Sequence, residues 1–178
     1  HWVAGKDVPN GAVDEIDPAA FVGPVVVIDC SEGAAADDDF ELTPAVIEAW
    51  EAEHGQIPAD AWVLMRADWS KRRGAAYLNM ADDGAHSPGP TPAAIELLLA
   101  RDIRGFGTET VGTDAGQGMH YTPPYPAHYL LHGAGKFGLQ CLCNLDLLPP
   151  TGAVLIAPPL KIKGGTGSPL RVLAMVMS

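Results

Sequence analysis

Residues 25–69 decide the fold of this chain, because they hold a strand, a helix and a second strand in succession. VVVID (residues 25–29) and AWVLMRADW (residues 61–69) are short apolar runs that are typical of buried strands. The helix between them is predicted to begin after Thr43, a favourable N-cap, and to end at Gly55. Strands that alternate with helices predict an α/β domain.

The rest of the chain continues this alternation. Thr91 and Pro92 are typical of the start of a second helix. Three further strands are predicted near the end of the chain, namely VLIA (residues 154–157), LKIK (160–163) and LRVLAMV (170–176). Because strands predominate there, we predict a single α/β domain over residues 1–178, with a mixed β-sheet and flanking helices.

The composition is that of a chain able to bury a substantial core. Of its 178 residues, 47% are hydrophobic and 19% are charged. No apolar run reaches the ~18 residues that a membrane span requires. The formal net charge of −11 argues against nucleic acid or an anionic membrane as a partner.

The charge is unevenly distributed along the chain. After Asp146 the only charged residues are Lys161, Lys163 and Arg171, so residues 1–146 carry −14 and the last 32 residues carry +3. A segment with so few charges is expected to be buried, either in the core or against another subunit. We therefore predict a homo-oligomer, at least a dimer.

The three cysteines are Cys30, Cys141 and Cys143, and an odd number cannot all pair within one chain. We expect reduced thiols, which are usual in the cytoplasm, and predict that location.

The segment HYLLHGAGKFGLQ (residues 128–140) carries the candidate chemistry. Prolines precede His128, and His132 follows it at four-residue spacing, so both imidazoles are expected on one face of a short helix. Gly133 and Gly135 are expected to end that helix.

The overlapping stretch FGLQCLC (residues 137–143) is predicted to be a strand on which Gln140, Leu142 and Asn144 share one face. A helix-borne histidine and a strand-borne carboxamide could then converge as two ligands of one site. The alternative interpretation is a pair of core histidines and a surface glutamine.

Gly133, Gly135 and Gly138 match the glycine pattern of a dinucleotide-binding loop. That loop requires a strand before it, a helix after it and an acidic residue further on, whereas here the elements are reversed and no acid follows Asp146. A nucleotide site is therefore rejected. Glu109 and Asp114 remain as candidate polar groups after the strand that begins near residue 105.

Three segments together resemble the metal-dependent cyclase family: HWVAGKDVPNGAVD (residues 1–14), GTETVGTDAGQ (107–117) and PAHYLLHGAGKFGLQCLCNLDLLPPTGAVLIAPPLKI (126–162). The family includes bacterial kynurenine formamidases and isatin hydrolases, and the isatin hydrolases look closest. The resemblance implies a swivelling β/β/α-type fold. His1-Trp2 resembles the end of the signature H-x-G-T-H-x-D-x-P-x-H, which implies that further metal ligands precede His1 in the native protein.

The resemblance also implies roles for individual residues. His1 would be the general base or a metal neighbour, His128 its catalytic partner across the pocket, and Trp2 an aromatic wall for the substrate. Gln140 falls where formamidases carry a glutamate metal ligand and isatin hydrolases a glutamine. A neutral carboxamide removes one negative charge, which favours a single hard ion, Mn²⁺ first, with Mg²⁺ or Zn²⁺ as alternatives.

The reaction that the resemblance implies is hydrolysis of a small aromatic cyclic amide, isatin to isatinate, by metal-activated water with a histidine base. One alternative is an arylformamidase that acts on N-formylkynurenine. The other is a metal-free scaffold or binding module without catalytic activity.

Overall fold

The computed structural model describes residues 12–176, which are built around one six-stranded sheet. The strands are β1 (Val22–Asp29), β2 (Trp62–Arg66), β3 (Gly105–Thr108), β4 (Phe137–Leu139), β5 (Ala153–Ile156) and β6 (Leu173–Val176). Their order across the sheet is β6-β5-β1-β2-β3-β4. Strands β1 to β4 run parallel, whereas β5 is antiparallel to both β1 and β6. The prediction of a mixed sheet is confirmed.

Helices and short turns connect these strands. The α-helices are α1 (Ser31–Ala36), α2 (Pro44–His54), α3 (Ala75–Leu78) and α4 (Pro92–Ala100). Single 3-10 turns cover Pro18–Phe21, Trp69–Lys71, Gly118–His120, His132–Ala134 and Leu145–Leu147, and a π turn covers Ala127–Leu131. Two small ladders join Glu41–Leu42 to Gly89–Pro90 and Met80–Ala81 to Gly84–Ala85.

Helices α2 and α4 cover one face of the sheet; α2 begins and ends where the sequence predicts, and α4 begins where it predicts. Ile47 of α2 and Ile95 and Leu98 of α4 are completely buried. They pack with the β-strand side chains of that face in one apolar cluster. The indole of Trp50 adds a directed contact, because its Nε1 donates a hydrogen bond to Val27 O at 2.9 Å.

The opposite face of the sheet is buried as well. Val25, Trp62, Leu64 and Leu155 pack there against the chain that follows β4, including Leu145. Burial on both faces explains why the parallel strands read as continuous apolar runs rather than as alternating ones.

One predicted strand is shorter than expected, and another is not formed. The strand over FGLQCLC ends at Leu139, because Cys141 has a φ of +56° and turns the chain out of the sheet. Gln140, Leu142 and Asn144 therefore do not share a strand face. LKIK (residues 160–163) is also not a strand, although its apolar and basic residues alternate.

The weakly charged tail is buried in the core only in part, because Ala153 and Leu155 of β5 lie there whereas β6 does not. Strand β6 lies at the edge of the sheet, and its Leu173 and Met175 are about half exposed (54% and 51%). Cross-strand pairing places further apolar side chains on the same side of the sheet. We call this surface the apolar corner; it comprises Val22, Pro24, Val154, Ile156, Leu173 and Met175.

Candidate active site

His128 and His132 lie together on the turns that precede β4. Their ring centroids are 5.3 Å apart and the rings meet edge to face, so the prediction that they share one face is confirmed. The segment is a π turn followed by a 3-10 turn rather than an α-helix. Gly135 ends it with a φ of +74°, a conformation that glycine adopts without strain.

Asp114 holds the imidazole of His128. Its Oδ2 accepts a hydrogen bond from His128 Nδ1 at 2.5 Å, and its Oδ1 accepts one from the Ala127 backbone N–H at 2.6 Å. Asp114 is buried, whereas the His128 side chain is 41% exposed. A carboxylate on Nδ1 fixes the tautomer in which Nε2 carries the lone pair, the arrangement usual for histidines that bind metals or accept protons.

A cavity of about 350 Å³ opens beside His128. The loop after β3 forms most of its wall, including Gly112, Asp114 and Gln117. Three large apolar or aromatic side chains lie at the wall with much of their surface exposed, namely Val111 (53%), Met119 (62%) and Tyr125 (41%). A polar floor with an apolar rim suits a flat aromatic molecule that carries a polar reacting group.

Gln140 lies beside this cavity without lining it. Its Oε1 accepts a hydrogen bond from the Gly112 backbone N–H at 2.6 Å, and Gly112 is a wall residue. The side chain is exposed. The structure thus connects Gln140 to the same loop as Asp114, and its role as a metal ligand stays a prediction. His1 and Trp2, the predicted base and aromatic wall, lie outside the described residues 12–176.

His132 is buried beneath His128. Its Nδ1 lies 3.0 Å from the carbonyl oxygen of Lys136, and burial lowers the pKa of the imidazole because it disfavours the charged form. Gly138 makes this packing possible, since a Cβ there would lie 2.5 Å from His132 Cε1. A neutral, buried imidazole fits the structural role that the sequence suggests for it.

Only one of the two acidic groups predicted after β3 lines the cavity. Glu109 is buried elsewhere and accepts hydrogen bonds from the backbone N–H groups of Ala67 and Trp69 and from the Ser70 hydroxyl. Its oxygens are therefore used to fix the loop after β2. Asp114 is the one of the two that lines the cavity and contacts His128.

His86 forms a second polar cluster that the sequence did not indicate. Its Nδ1 lies 2.6 Å from Asp39 and its Nε2 3.0 Å from Asp83, itself a wall residue of the cavity. These two carboxylates raise the pKa of His86 to about 9, and the hydrogen bond to Asp39 contributes most. No local signal could have revealed the pair with Asp39, because it joins residues 47 positions apart.

Within residues 12–176, no group of three or more His, Cys, Asp and Glu side chains converges as ligands. His128, held at Nδ1 by a carboxylate, and Gln140, which carries a carboxamide oxygen, are of the donor types that a divalent ion binds. The remaining ligands would have to come from outside this range.

Comparison with known proteins gives a consistent result. A family model described as "Putative cyclase" matches residues 1–115. The isatin hydrolase of Roseibium aggregatum is 57% identical over 178 residues, which is 99% of this chain and 68% of that protein.

Solved structures agree with the sequence comparison. Isatin hydrolase A from Labrenzia aggregata, bound to benzyl benzoate, has a TM-score of 0.98 and 79% identity over 100% of this chain and 70% of its own. An isatin hydrolase bound to the product analogue thioisatinate has a TM-score of 0.96 and 56% identity. The match covers 99% of this chain and 68% of that protein. In the described part of the chain, the helices are too short or too polar to cross a membrane.

Proposed function

The chain belongs to the cyclase family, and from that membership we propose that it is a metal-dependent amidohydrolase that opens isatin to isatinate. The observation that carries the proposal is its 57% identity to an isatin hydrolase over 99% of the chain. The cavity beside His128 supports it, because its polar floor and apolar rim suit a flat aromatic amide.

Different residues of the chain have different roles in the proposed hydrolysis. Asp114 holds the His128 imidazole in a fixed orientation through Nδ1. The exposed side chains of Met119 and Tyr125 would cover the aromatic ring and exclude water from one side. We assign His1 as the base that removes a proton from the attacking water and Trp2 as an aromatic wall, both by resemblance.

A divalent ion, when bound, supplies polarisation of the amide carbonyl and increases the acidity of the attacking water. His128 and Gln140 are the described residues that would hold it. Gln140 would contribute a neutral oxygen where a glutamate would contribute a negative charge. Because less cationic charge is then compensated, the site favours a single hard ion over two ions. We propose Mn²⁺, with Mg²⁺ and Zn²⁺ as alternatives.

The assembly and location are also proposals. The apolar corner supports a homodimer, since an uncharged sheet face that is half exposed in one protomer is the kind of surface that a second copy would cover. Cys30, Cys141 and Cys143 carry no disulfide, which supports a reducing compartment such as the cytoplasm.

The proposal is tested by comparing turnover of isatin and N-formylkynurenine by the protein, with and without added Mn²⁺. Loss of isatin absorbance that depends on the metal, with little cleavage of the formamide, is the expected result. Preferred cleavage of N-formylkynurenine would indicate the arylformamidase instead. No turnover of either substrate with any of the three ions would favour the non-catalytic scaffold.

A further inference from the structure

A second cavity, of about 120 Å³, lies at the start of the parallel strands. It shares no lining residue with the cavity beside His128, which follows the end of β3. Trp62 and Phe137, the first residues of β2 and β4, line it together with Phe21. None of the lining residues that the structure describes is ionisable.

Trp62 carries an unsatisfied hydrogen-bond donor at this cavity. The residue is 1% exposed, and its Nε1–H has no hydrogen-bond partner. The other two indoles in the described part of the chain differ, because Trp50 Nε1 donates to Val27 O and Trp69 Nε1 donates to Tyr77 O, each at 2.9 Å. Buried donors are usually paired, so the exception requires an explanation.

The packing of the Trp62 indole fixes the position of its benzo edge. The benzo edge of Trp62 covers Gly105, where a Cβ would lie 2.5 Å from Cζ3 and 2.9 Å from Cε3. The N–H edge is on the other side of the ring and faces away from Gly105.

Aromatic rings form the walls around this donor. The Phe137 ring stacks on Trp62, with centroids 5.8 Å apart and planes inclined by 28°. Phe21 packs against Phe137 at 5.5 Å in a tilted arrangement. The surroundings of the N–H therefore favour another aromatic ring.

We propose that this cavity binds a neutral, one-ring aromatic carbonyl compound, whose carbonyl oxygen accepts a hydrogen bond from Trp62 Nε1–H while its ring packs against Phe21 and Phe137. The volume limits the ligand to one ring, because about 120 Å³ is less than the roughly 150 Å³ of an engineered apolar cavity in another protein that binds benzene. A carboxylate is disfavoured, since no cationic side chain within residues 12–176 lines the cavity to offset its desolvation. This inference does not depend on the proposed hydrolase activity.

The test uses acetophenone as the probe and the indole N–H resonances of the ¹⁵N-labelled protein as the readout. Trp62→Phe identifies the Trp62 signal. Acetophenone should shift that signal saturably, benzoate should not shift it, and ethylbenzene, which lacks the carbonyl, should bind roughly five- to tenfold more weakly.

Variants distinguish the contribution of the Trp62 hydrogen bond to binding from the contribution of the cavity volume. Trp62→Phe should weaken acetophenone binding, followed by calorimetry, by roughly five- to tenfold and leave ethylbenzene binding nearly unchanged. Trp69→Phe is the matched control, because its N–H already has a partner, and it should change neither. Gly167→Leu places a side chain at the cavity wall, where a Cβ meets no atom within 4 Å, and should abolish binding of both probes.

The proposal is overturned if acetophenone causes no saturable shift of the Trp62 signal up to its solubility limit. It is also overturned if ethylbenzene and acetophenone bind equally, or if Gly167→Leu leaves binding intact. The last criterion holds even if Trp62→Phe does not fold.

Discussion

His128 depends on Asp114 for its orientation, since the carboxylate contacts both the ring and the backbone before it. Asp114→Asn should lower kcat/KM for isatin by roughly 10- to 100-fold, the usual effect of removing such a partner. Steady-state kinetics will measure the loss. Asp102→Asn, which removes an exposed partner of Lys136, is the control and should leave kcat/KM unchanged. A rate for Asp114→Asn within twofold of the native rate would contradict this role.

Gln140 determines the charge of the proposed metal site. Gln140→Glu adds one negative charge and should raise metal stoichiometry or shift preference towards Zn²⁺, because a carboxylate compensates a second cation. Metal analysis of protein purified without added ions will measure the change. An unchanged metal content and preference would show that the side chain only supports the Gly112 loop.

The His86 cluster makes stability depend on pH. Because Asp39 and Asp83 raise the pKa of His86 from 6.5 to about 9, the folded state favours its protonated form. This contribution is fully present below pH 6.5 and is lost as the pH rises through about 9. The urea midpoint should fall between about pH 7 and pH 10, and His86→Gln should reduce that fall. Equal falls in both proteins would refute the assignment.

At the active-site side chains, sequence reasoning identified His128, His132 and Asp114, and the structure brings them together. The four-residue spacing predicts the pairing of the histidines, whereas position after a strand does not by itself select Asp114, because Glu109 has the same position and is buried elsewhere. Met119 and Tyr125 were not identified, because an exposed apolar residue in a loop carries no periodic pattern. Tyr125 also has a φ of +51° between prolines, a conformation that no propensity predicts.

Helix α4 is stabilised by a cap that helix α2 lacks, although both begin with Thr-Pro. Thr91 Oγ1 accepts a hydrogen bond from Ala94 N–H, whereas the Thr43 side chain makes no such bond. Thr91→Ala should therefore lower the free energy of unfolding by about 1 kcal/mol. Thr43→Ala is the matched control and should cost clearly less. Urea denaturation compares the two, and equal losses would contradict the distinction.

Strands and helices were predictable where local pattern and burial agree. VVVID and the two Thr-Pro helix starts each carry their signal within a few residues. FGLQCLC and LKIK have the composition of strands but lack a neighbouring strand to pair with along their length. Strand pairing depends on the tertiary structure and cannot be read from a local pattern. The left-handed backbone of Cys141 ends β4, and because this residue is not a glycine, the sequence does not predict that turn.

The assembly of the molecule is expected to depend on the apolar corner. Met175→Lys places a charge within it and should convert a dimer into a monomer while the protomer stays folded. Light scattering after size-exclusion chromatography will give the mass. Leu147→Lys, at an exposed apolar residue outside the corner, should leave the mass unchanged. A dimer that persists in Met175→Lys would place the interface elsewhere.

The overall organisation was predictable in class but not in detail. Alternating elements indicated the α/β architecture, and the loss of charge after Asp146 distinguished the tail from the rest. Low charge alone could not say whether the tail enters the core or forms an edge. The strand order decides that, because β5 and β6 lie beyond β1 on the far side of the sheet from β4.

The three thiols differ sharply in accessibility. Cys30 is buried, and burial raises its pKa to about 12, whereas Cys141 and Cys143 are exposed directly after Gln140. A maleimide dye will therefore label the margin of the candidate site and spare the interior. With Cys143→Ser, a single fluorophore at position 141 would report ligand arrival optically, without any tryptophan signal or coupled assay.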